Sequence, residues 1–372
     1  MKVTIERSVF LKALSHAQSV VEKRNTIPIL ANVLLQAGDG RLSLTATDLD
    51  IEIVESAPAD VAVEGAATAG AHTLYEIVRR LPDGAQVRLE LNGDDPQLKL
   101  SAGRSDFKLS VLANEDFPVL PADDFAVTFA APATALARLI DKSRFAISNE
   151  ETRYYLNGVY LHAATDGETS ALRAVATDGH RLARVDAELP EGAKDMPSVI
   201  VPRKTVQELR RLLDDAEDIV NISVSEGKMR FAFGAVVLTS KLIDGAFPDY
   251  GRVIPEGNDK TLKVEAADFA SGVDRVATIS AERTRSVKFG LDADRLRLTV
   301  NSPESGSAFE ELPAEYDGEP LEVGFNAKYL TDVASQIDGA SITLKFADAA
   351  SPTLVLDDDD PNALYVLMPM RV

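Results

Sequence analysis

The chain has 372 residues, 45% hydrophobic and 26% charged, which is an ordinary globular composition with ample material for a core and a length that suggests two or three domains. It holds no cysteine, which excludes disulfides and thiolate metal sites, so a reducing cytoplasm is the expected location. The formal net charge of −20, taken as an average, argues against nucleic acid, because phosphate binding needs Lys and Arg.

The opening MKVTIERSVFLKAL carries charges inside its apolar pattern and lacks a small-residue cleavage site, so it does not read as a signal peptide. No apolar run approaches the roughly 18 residues that a membrane span needs. An amphipathic helix is predicted first, with Phe10, Leu14, Ala17 and Val21 at helical spacing. A strand pair follows over 29–44 with GDG at its turn, and LSLTATDLDIEIV (42–54) reads as strand, polar turn and strand. A second helix, TLYEIVRRL (73–81), presents Leu74, Ile77 and Leu81, and the alternating strand VRLELN and the phrase SVLANEDFP close the first unit.

The same order then returns. Leu136, Leu139 and Ile140 open a second copy, a strand pair covers 156–176 with TDG at its turn, and TVQELRRLL (205–213) is the second helix. The stretch RAVATDGHRLARV (173–185) repeats the figure at 42–54, and SKLIDGAFP repeats SVLANEDFP. Asp48 and Asp178 lie 130 residues apart, as do Phe117-Pro118 and Phe247-Pro248. A third copy has Phe269, Val273 and Val276 in its first helix, strands over 287–300 with DAD at the turn, and KYLTDVASQI (328–337) as its second helix. The expected fold is therefore α+β: three repeated domains at 1–125, 126–256 and 257–372, each of antiparallel sheet with two helices on one face.

Charge is divided between these elements. The six helix windows together hold 17 Lys and Arg against 9 Asp and Glu, which leaves 22 against 50 for the rest of the chain. If all helices share one face of a curved assembly, that face is positive. A domain of this size is about 35 Å across, so three in a ring leave a hole of about 5 Å and six leave about 35 Å. Duplex DNA needs roughly 20 Å, so one chain cannot surround it and a head-to-tail pair can.

The chain closely resembles the bacterial DNA polymerase III β subunit, the β sliding clamp family, along its whole length. The resemblance rests on NTIPILANVLL (25–35), LSLTATDLDIEI (42–53), TRYYLNGV (152–159), VATDGHRLA (175–183), VIVPRKTVQEL (199–209), TSKLIDGAFPDY (239–250), GFNAKYL (324–330) and the terminal MPMRV. It implies a homodimeric ring of six similar domains with helices around the hole, acting as a processivity factor that slides on double-stranded DNA. Sliding needs many weak phosphate contacts and no base readout.

By carry-over, the DNA-facing candidates are Arg24, Tyr154, Arg203 and Lys204, to which the helix pattern adds Arg210 and Arg211. The family also binds short linear peptides of the DNA polymerase III catalytic subunit, the clamp loader, and other polymerases and repair proteins, in a pocket between its second and third domains. Matching positions on the second-domain side are Arg153, Leu156, Thr177, Gly179, His180, Arg181 and Leu182, then Pro248, Arg252 and Val253. On the third-domain side they are Asn326 and Tyr329, then Leu367, Met368, Pro369, Met370 and Arg371. Leu156, Leu182, Val253 and Met368 supply apolar contact, while Arg153, His180 and Arg181 could hold a peptide's polar backbone or carboxylate. For the dimer, Arg104, Phe107 and Leu109 are expected against Ile279 and Glu304, with Asp106 and Ser305-Gly306-Ser307 diluting the usual charge complementarity.

An enzyme reading finds little. There are four histidines, His16, His72, His162 and His180, without metal-binding spacing, and no phosphate loop, nucleophile elbow or dinucleotide fingerprint. No catalytic residue, metal site or cofactor is expected, and no membrane partner. The DDDD run at 357–360 reads as a solvated hairpin tip. An interaction scaffold that does not encircle DNA is the competing class.

Overall fold

The computed structural model describes the chain except residues 23–25, 94–96, 122–123, 168, 217, 280–285 and 372. Six helices appear in the expected places: α1 (Arg7–Val20), α2 (Ala71–Arg79), α3 (Ala133–Asp141), α4 (Arg203–Leu213), α5 (Ala266–Ala277) and α6 (Ala327–Ala334). Most of the apolar positions that the periodicity announced are buried, while Ile77 of α2 is half-buried. In α1, Phe10, Leu14 and Ala17 are buried, and Glu6 caps the helix by accepting from the backbone N–H groups of Ser8 (2.8 Å) and Val9 (3.0 Å). Val21 is the residue that ends α1, in extended backbone, and Ile337 falls beyond the end of α6.

The strands pair antiparallel throughout the described residues. The chain divides into two compact units. Unit 1 comprises Met1–Leu136, Pro190–Pro197 and Lys204–Leu242, and unit 2 comprises Ala137–Leu189, Ser198–Arg203 and Ile243–Val372.

Unit 1 contains an eight-stranded and a five-stranded sheet. In the larger one, strand Ile51–Pro58 of the first repeat pairs with Val236–Lys241 of the second, with Ile53 opposite Leu238. Both are buried, so one sheet and one core run across the junction between repeats. The five-stranded sheet ends on strand Ser105–Ser110, whose single partner among the described residues is Gln97–Ala102.

Unit 2 is built on a twelve-stranded sheet and repeats the device. Strand Arg181–Glu188 of the second repeat pairs with Asp360–Leu367 of the third, with Leu182 opposite Val366. Further along, strand Gly306–Tyr316 pairs with Arg295–Ser302 on one side. Its other side meets Lys260–Glu265 only at Ala314, Glu315 and Tyr316, leaving 306–312 open among the described residues.

The acidic run at 357–360 differs from its expected solvated state. It does form the hairpin between Thr353–Asp357 and Asp360–Leu367, but Asp357 is buried and accepts from the backbone of Asp338 (2.8 Å) and Asp359 (3.0 Å). Asp360 binds Arg138 through both oxygens, at 2.6 and 2.7 Å. Asp357 and Asp360 face each other across the hairpin, which turns both carboxylates toward donors, and only Asp358 and Asp359 are exposed.

Candidate functional site

The turn between strands Thr169–Thr177 and Arg181–Glu188 is closed by side chains. Asp178 Oδ1 accepts from the backbone of His180 (2.9 Å) and Arg181 (3.1 Å), and Thr177 Oγ1 accepts from Gly179 N–H (3.1 Å) while donating to Arg181 O (2.7 Å). Gly179 takes φ +88°, and a Cβ there would lie 2.5 Å from Arg153 Nη1, so both the backbone and the neighbouring guanidinium call for glycine. Arg153 lies over this turn and is held by Glu150 at 2.8 Å.

Arg181 is only 7% exposed. Its Nε donates to Asp178 (3.1 Å), Nη1 to Asp332 and Nη2 to Phe145 O (2.6 Å), and its guanidinium stacks 4.5 Å from the Tyr329 ring centre. Every nitrogen is engaged inside unit 2. The expectation that Arg181 could hold a peptide carboxylate is therefore corrected: Arg181 ties the turn to α6. His180 is exposed and stacks on Tyr329 at 6.3 Å, and Met368 N–H donates to His180 O at 2.8 Å.

The pairing register divides the remaining candidates between two faces. Leu182 opposite Val366 marks one face; Arg181 opposite Leu367 marks the other. Leu367 is therefore corrected as a lining residue: it is buried on the side opposite Leu182. On Leu182's face, Val175, Leu364 and Val366 complete an apolar floor, against which Tyr160, Phe247, Tyr250, Ile254, Leu354 and Leu356 pack.

Phe247 stacks on Tyr160 with ring centres 4.7 Å apart and 2° between planes. The Tyr250 hydroxyl meets His162 Nε2 at 3.1 Å and Arg173 Nη1 at 3.4 Å. Burial, aided by Arg173, pushes the His162 pKa down against a raising backbone bond, which favours the neutral ring at neutral pH. These contacts hold the 247–254 segment over the sheet. Pro248, Arg252 and Val253 stand exposed on that segment, with Arg252 paired to Asp249 at 2.9 Å.

Other candidates have local duties. Leu156 is buried in the 3-10 turn Glu151–Leu156. Asn326 caps α6 by accepting from Lys328 N–H at 2.9 Å, and Met370 N–H donates to Gly324 O at 2.8 Å. Pro369 is half-buried and Arg371 exposed. Sequence reasoning missed Val175, Phe247, Tyr250, Leu364 and Val366. The signal was present in strand parity, since 364 and 366 share a face with 368.

The basic helix residues carry partners. Lys204 Nζ, at the start of α4, meets Asp48 Oδ2, Glu22 Oε1 (3.2 Å) and Val20 O (3.2 Å). Burial pulls its pKa down and the two carboxylates outweigh it, leaving the ammonium more firmly protonated. Arg210 binds Asp214 at 2.5 Å and Arg211 binds Glu208 at 2.8 Å. Arg203 donates its backbone N–H to Asn157 O at 2.9 Å, and its Nη1 is buried with no partner among the described residues. Tyr154 is 53% exposed. Arg24 lies outside the described residues.

Two of the dimer candidates fall on an open strand edge and the others in or beside turns. Phe107 and Leu109 are half-buried on Ser105–Ser110, while Arg104 is exposed in the turn before it. Beside them lies a cleft of about 480 Å³ whose walls include Ile77 and Leu81 of the α2 region along with Phe107. In unit 2, Glu304 is exposed in the turn before Gly306–Tyr316, and Ile279 is half-buried beyond α5. Phe309, on the open edge, is 61% exposed. It was missed because an open edge exists only once the strands are ordered. No cluster of three or more His, Cys, Asp or Glu poised for a metal occurs among the described residues, and no described helix is long and apolar enough to cross a membrane.

Comparison with known proteins agrees with this architecture. Residues 1–121, 130–249 and 251–371 match family models described as the N-terminal, central and C-terminal domains of the DNA polymerase III beta subunit. Such a threefold domain repeat defines a clamp architecture. The chain belongs to the DNA polymerase III beta subunit family, the beta sliding clamps. It is 59% identical to the beta sliding clamp of Caulobacter vibrioides strain NA1000 over 372 residues, with 100% of both covered. A crystal structure of the Caulobacter crescentus beta sliding clamp superposes with TM-score 0.98 at 59% identity, covering 100% of this chain and 99% of that one. The DNA polymerase III subunit beta clamp of Bartonella birtlesii bound to griselimycin superposes with TM-score 0.97 at 49% identity, with 100% of both chains covered.

Proposed function

We propose that two copies of this chain, each with domains at 1–125, 126–256 and 257–372, join head to tail in a ring that surrounds duplex DNA. The ring slides on phosphate contacts without reading bases, and it tethers polymerases, repair proteins and the clamp loader in the cytoplasm. The observation that carries this reading is the pair of open, apolar strand edges. Ser105–Ser110 presents Phe107 and Leu109, and 306–312 presents Phe309. Exposed edges of this kind invite another strand, and neither edge has a partner among the described residues of one chain. The pairing of a first-domain edge with a third-domain edge is heterologous within each contact and closes after two copies.

The DNA-facing role of Lys204, Arg203, Tyr154, Arg210, Arg211 and Arg24 belongs to the same reading. Local acid partners of Lys204, Arg210 and Arg211 temper the field, which suits a ring that must not grip one position. Partner peptides would anchor apolar side chains on the face of Leu182 and Val366, beside Met368 and Val253.

Sedimentation velocity tests the ring. A dimer is expected at micromolar concentration, and Phe107→Asp or Phe309→Asp should yield monomer with an unchanged far-UV spectrum. A wild-type chain that sediments as monomer at that concentration would refute the reading.

A further inference from the structure

We propose that His16 is a proton-controlled latch between the first and second repeats of unit 1, a device that the matching junction of unit 2 carries with a permanent charge instead. His16 lies on α1 and is 6% exposed. Its Nδ1 is 2.7 Å from Glu55 Oε2, on strand Ile51–Pro58 of the first repeat. Its Nε2 is 2.9 Å from Asp215 Oδ2, just beyond α4 of the second repeat. A neutral imidazole can donate from one nitrogen only and turns a lone pair on the other carboxylate. The imidazolium donates to both. The protonated ring therefore pins α1, the strand and the end of α4 together, and the neutral ring releases one of the two carboxylates.

The charged groups around the ring are few. From α1 comes Lys12, 3.3 Å from Asp215; from the strand, Glu55; from the segment after α4, Asp215. A cavity of about 300 Å³ adjoins them, and no other charged residue among the described residues lines it.

The repeat supplies an internal comparison. Placing Phe10 and Leu14 of α1 on Leu136 and Ile140 of α3 puts His16 on Lys142. Lys142 is 7% exposed, its Nζ lies 2.7 Å from Asp338 and 3.4 Å from Asp360, and it donates to Gln336 O at 2.6 Å. Asp338 follows α6 much as Asp215 follows α4. The two junctions share one plan: a buried basic residue on the first helix or immediately past its end, met by a carboxylate after the partner's second helix. Lysine keeps its charge from about pH 6 to about pH 9, and histidine does not.

The sign follows from linkage. Burial pulls the His16 pKa down, but the contacts with Glu55 and Asp215 outweigh it and leave the pKa above 6.5. A base raised in the folded state contributes stability that is complete below its unfolded pKa and is lost as pH rises through the folded one. On the acid side, burial raises the Asp215 carboxyl but His16 and Lys12 hold it below its ordinary value, so that contact fails only as pH falls through this lowered pKa. The latch is engaged between these limits and slackens toward alkaline pH.

Two measurements on the full chain test this. The His16 ring resonance, assigned with ¹³C-histidine label, is expected to titrate above pH 6.5. Amide exchange, corrected for intrinsic rates, is expected to show a several-fold loss of protection in α1 and Ile51–Pro58 between about pH 6 and about pH 9, with none in α3 and Arg181–Glu188. His16→Lys should abolish that difference. A His16 titration at or below pH 6.5, an equal pH response in the two junctions, or an undiminished response in His16→Lys would each overturn the proposal. The wild-type titration needs no variant, so a misfolded substitution leaves the test intact.

Discussion

Two turns in this molecule share one backbone design and differ in what they serve. At Thr47–Ile51 in unit 1, Asp48 Oδ1 accepts from the backbone of Asp50 (3.0 Å) and Ile51 (2.7 Å), and Thr47 Oγ1 donates to Ile51 O (2.8 Å). The turn at 177–181 in unit 2 uses the same bonds from Asp178 and Thr177. The second carboxylate oxygen then diverges: Asp48 takes Lys204 of the next repeat, and Asp178 takes Arg181 at the end of its own turn. The floors diverge as well. Where unit 2 has Val175, Leu182, Val366 and Leu354, the same register positions in unit 1 hold Thr45, Glu52, Thr239 and Arg230. Glu52 accepts from Leu120 N–H at 3.0 Å, and burial raises its pKa despite that bond. Duplication preserved the turn, and the side chains on one face decide which junction presents an apolar surface.

The largest expected effect comes from Arg181→Met. It strips a buried guanidinium from Asp332, Asp178 and Phe145 O and should cost about 3 kcal/mol in urea unfolding, close to the penalty for breaking a buried ion pair. Next, Gly179→Ala should cost about 1–2 kcal/mol, because φ is positive and the new Cβ meets Arg153. Leu49 occupies the matching position in unit 1 at φ +81°, so Leu49→Gly should have the opposite sign and stabilise by up to about 1 kcal/mol. Equal signs at the two positions would break the comparison.

Lys204→Met is expected to cost about 1 kcal/mol or less, since its side chain is 34% exposed and its pairs are partly hydrated. The smallest effect sharpens the floor argument. Glu52→Leu should leave peptide stoichiometry at one per chain in calorimetry, because Thr45, Thr239 and Arg230 keep that floor polar. A second bound peptide would show that Glu52 alone closed the site.

Much of this was legible in the sequence. Helical spacing located all six helices, and the 130-residue offset of Asp48 and Asp178 exposed the duplication. The turns at 38–40, 165–167 and 292–294 appeared as hairpins. What the sequence withheld were facts of pairing across long separations. Leu367 read as a lining residue until its register with Arg181 set it on the opposite face. The carboxylates of Asp357 and Asp360 read as solvated until the partners of Asp360, Arg138 and Lys142, arrived from more than 200 positions away. Charge counting over helices likewise could not see that Lys204, Arg210 and Arg211 each meet an acid. Phe309 and Val366 were hidden for a related reason, since an open edge and a shared floor exist only once strands are ordered.

The most direct test of encirclement is retention after loading. The clamp, loaded on nicked circular DNA and passed over a gel-filtration column, is expected to elute with the circle and to be lost when one restriction cut linearises it. Equal retention on circular and linear DNA, or none on either, would contradict a ring threaded by the duplex.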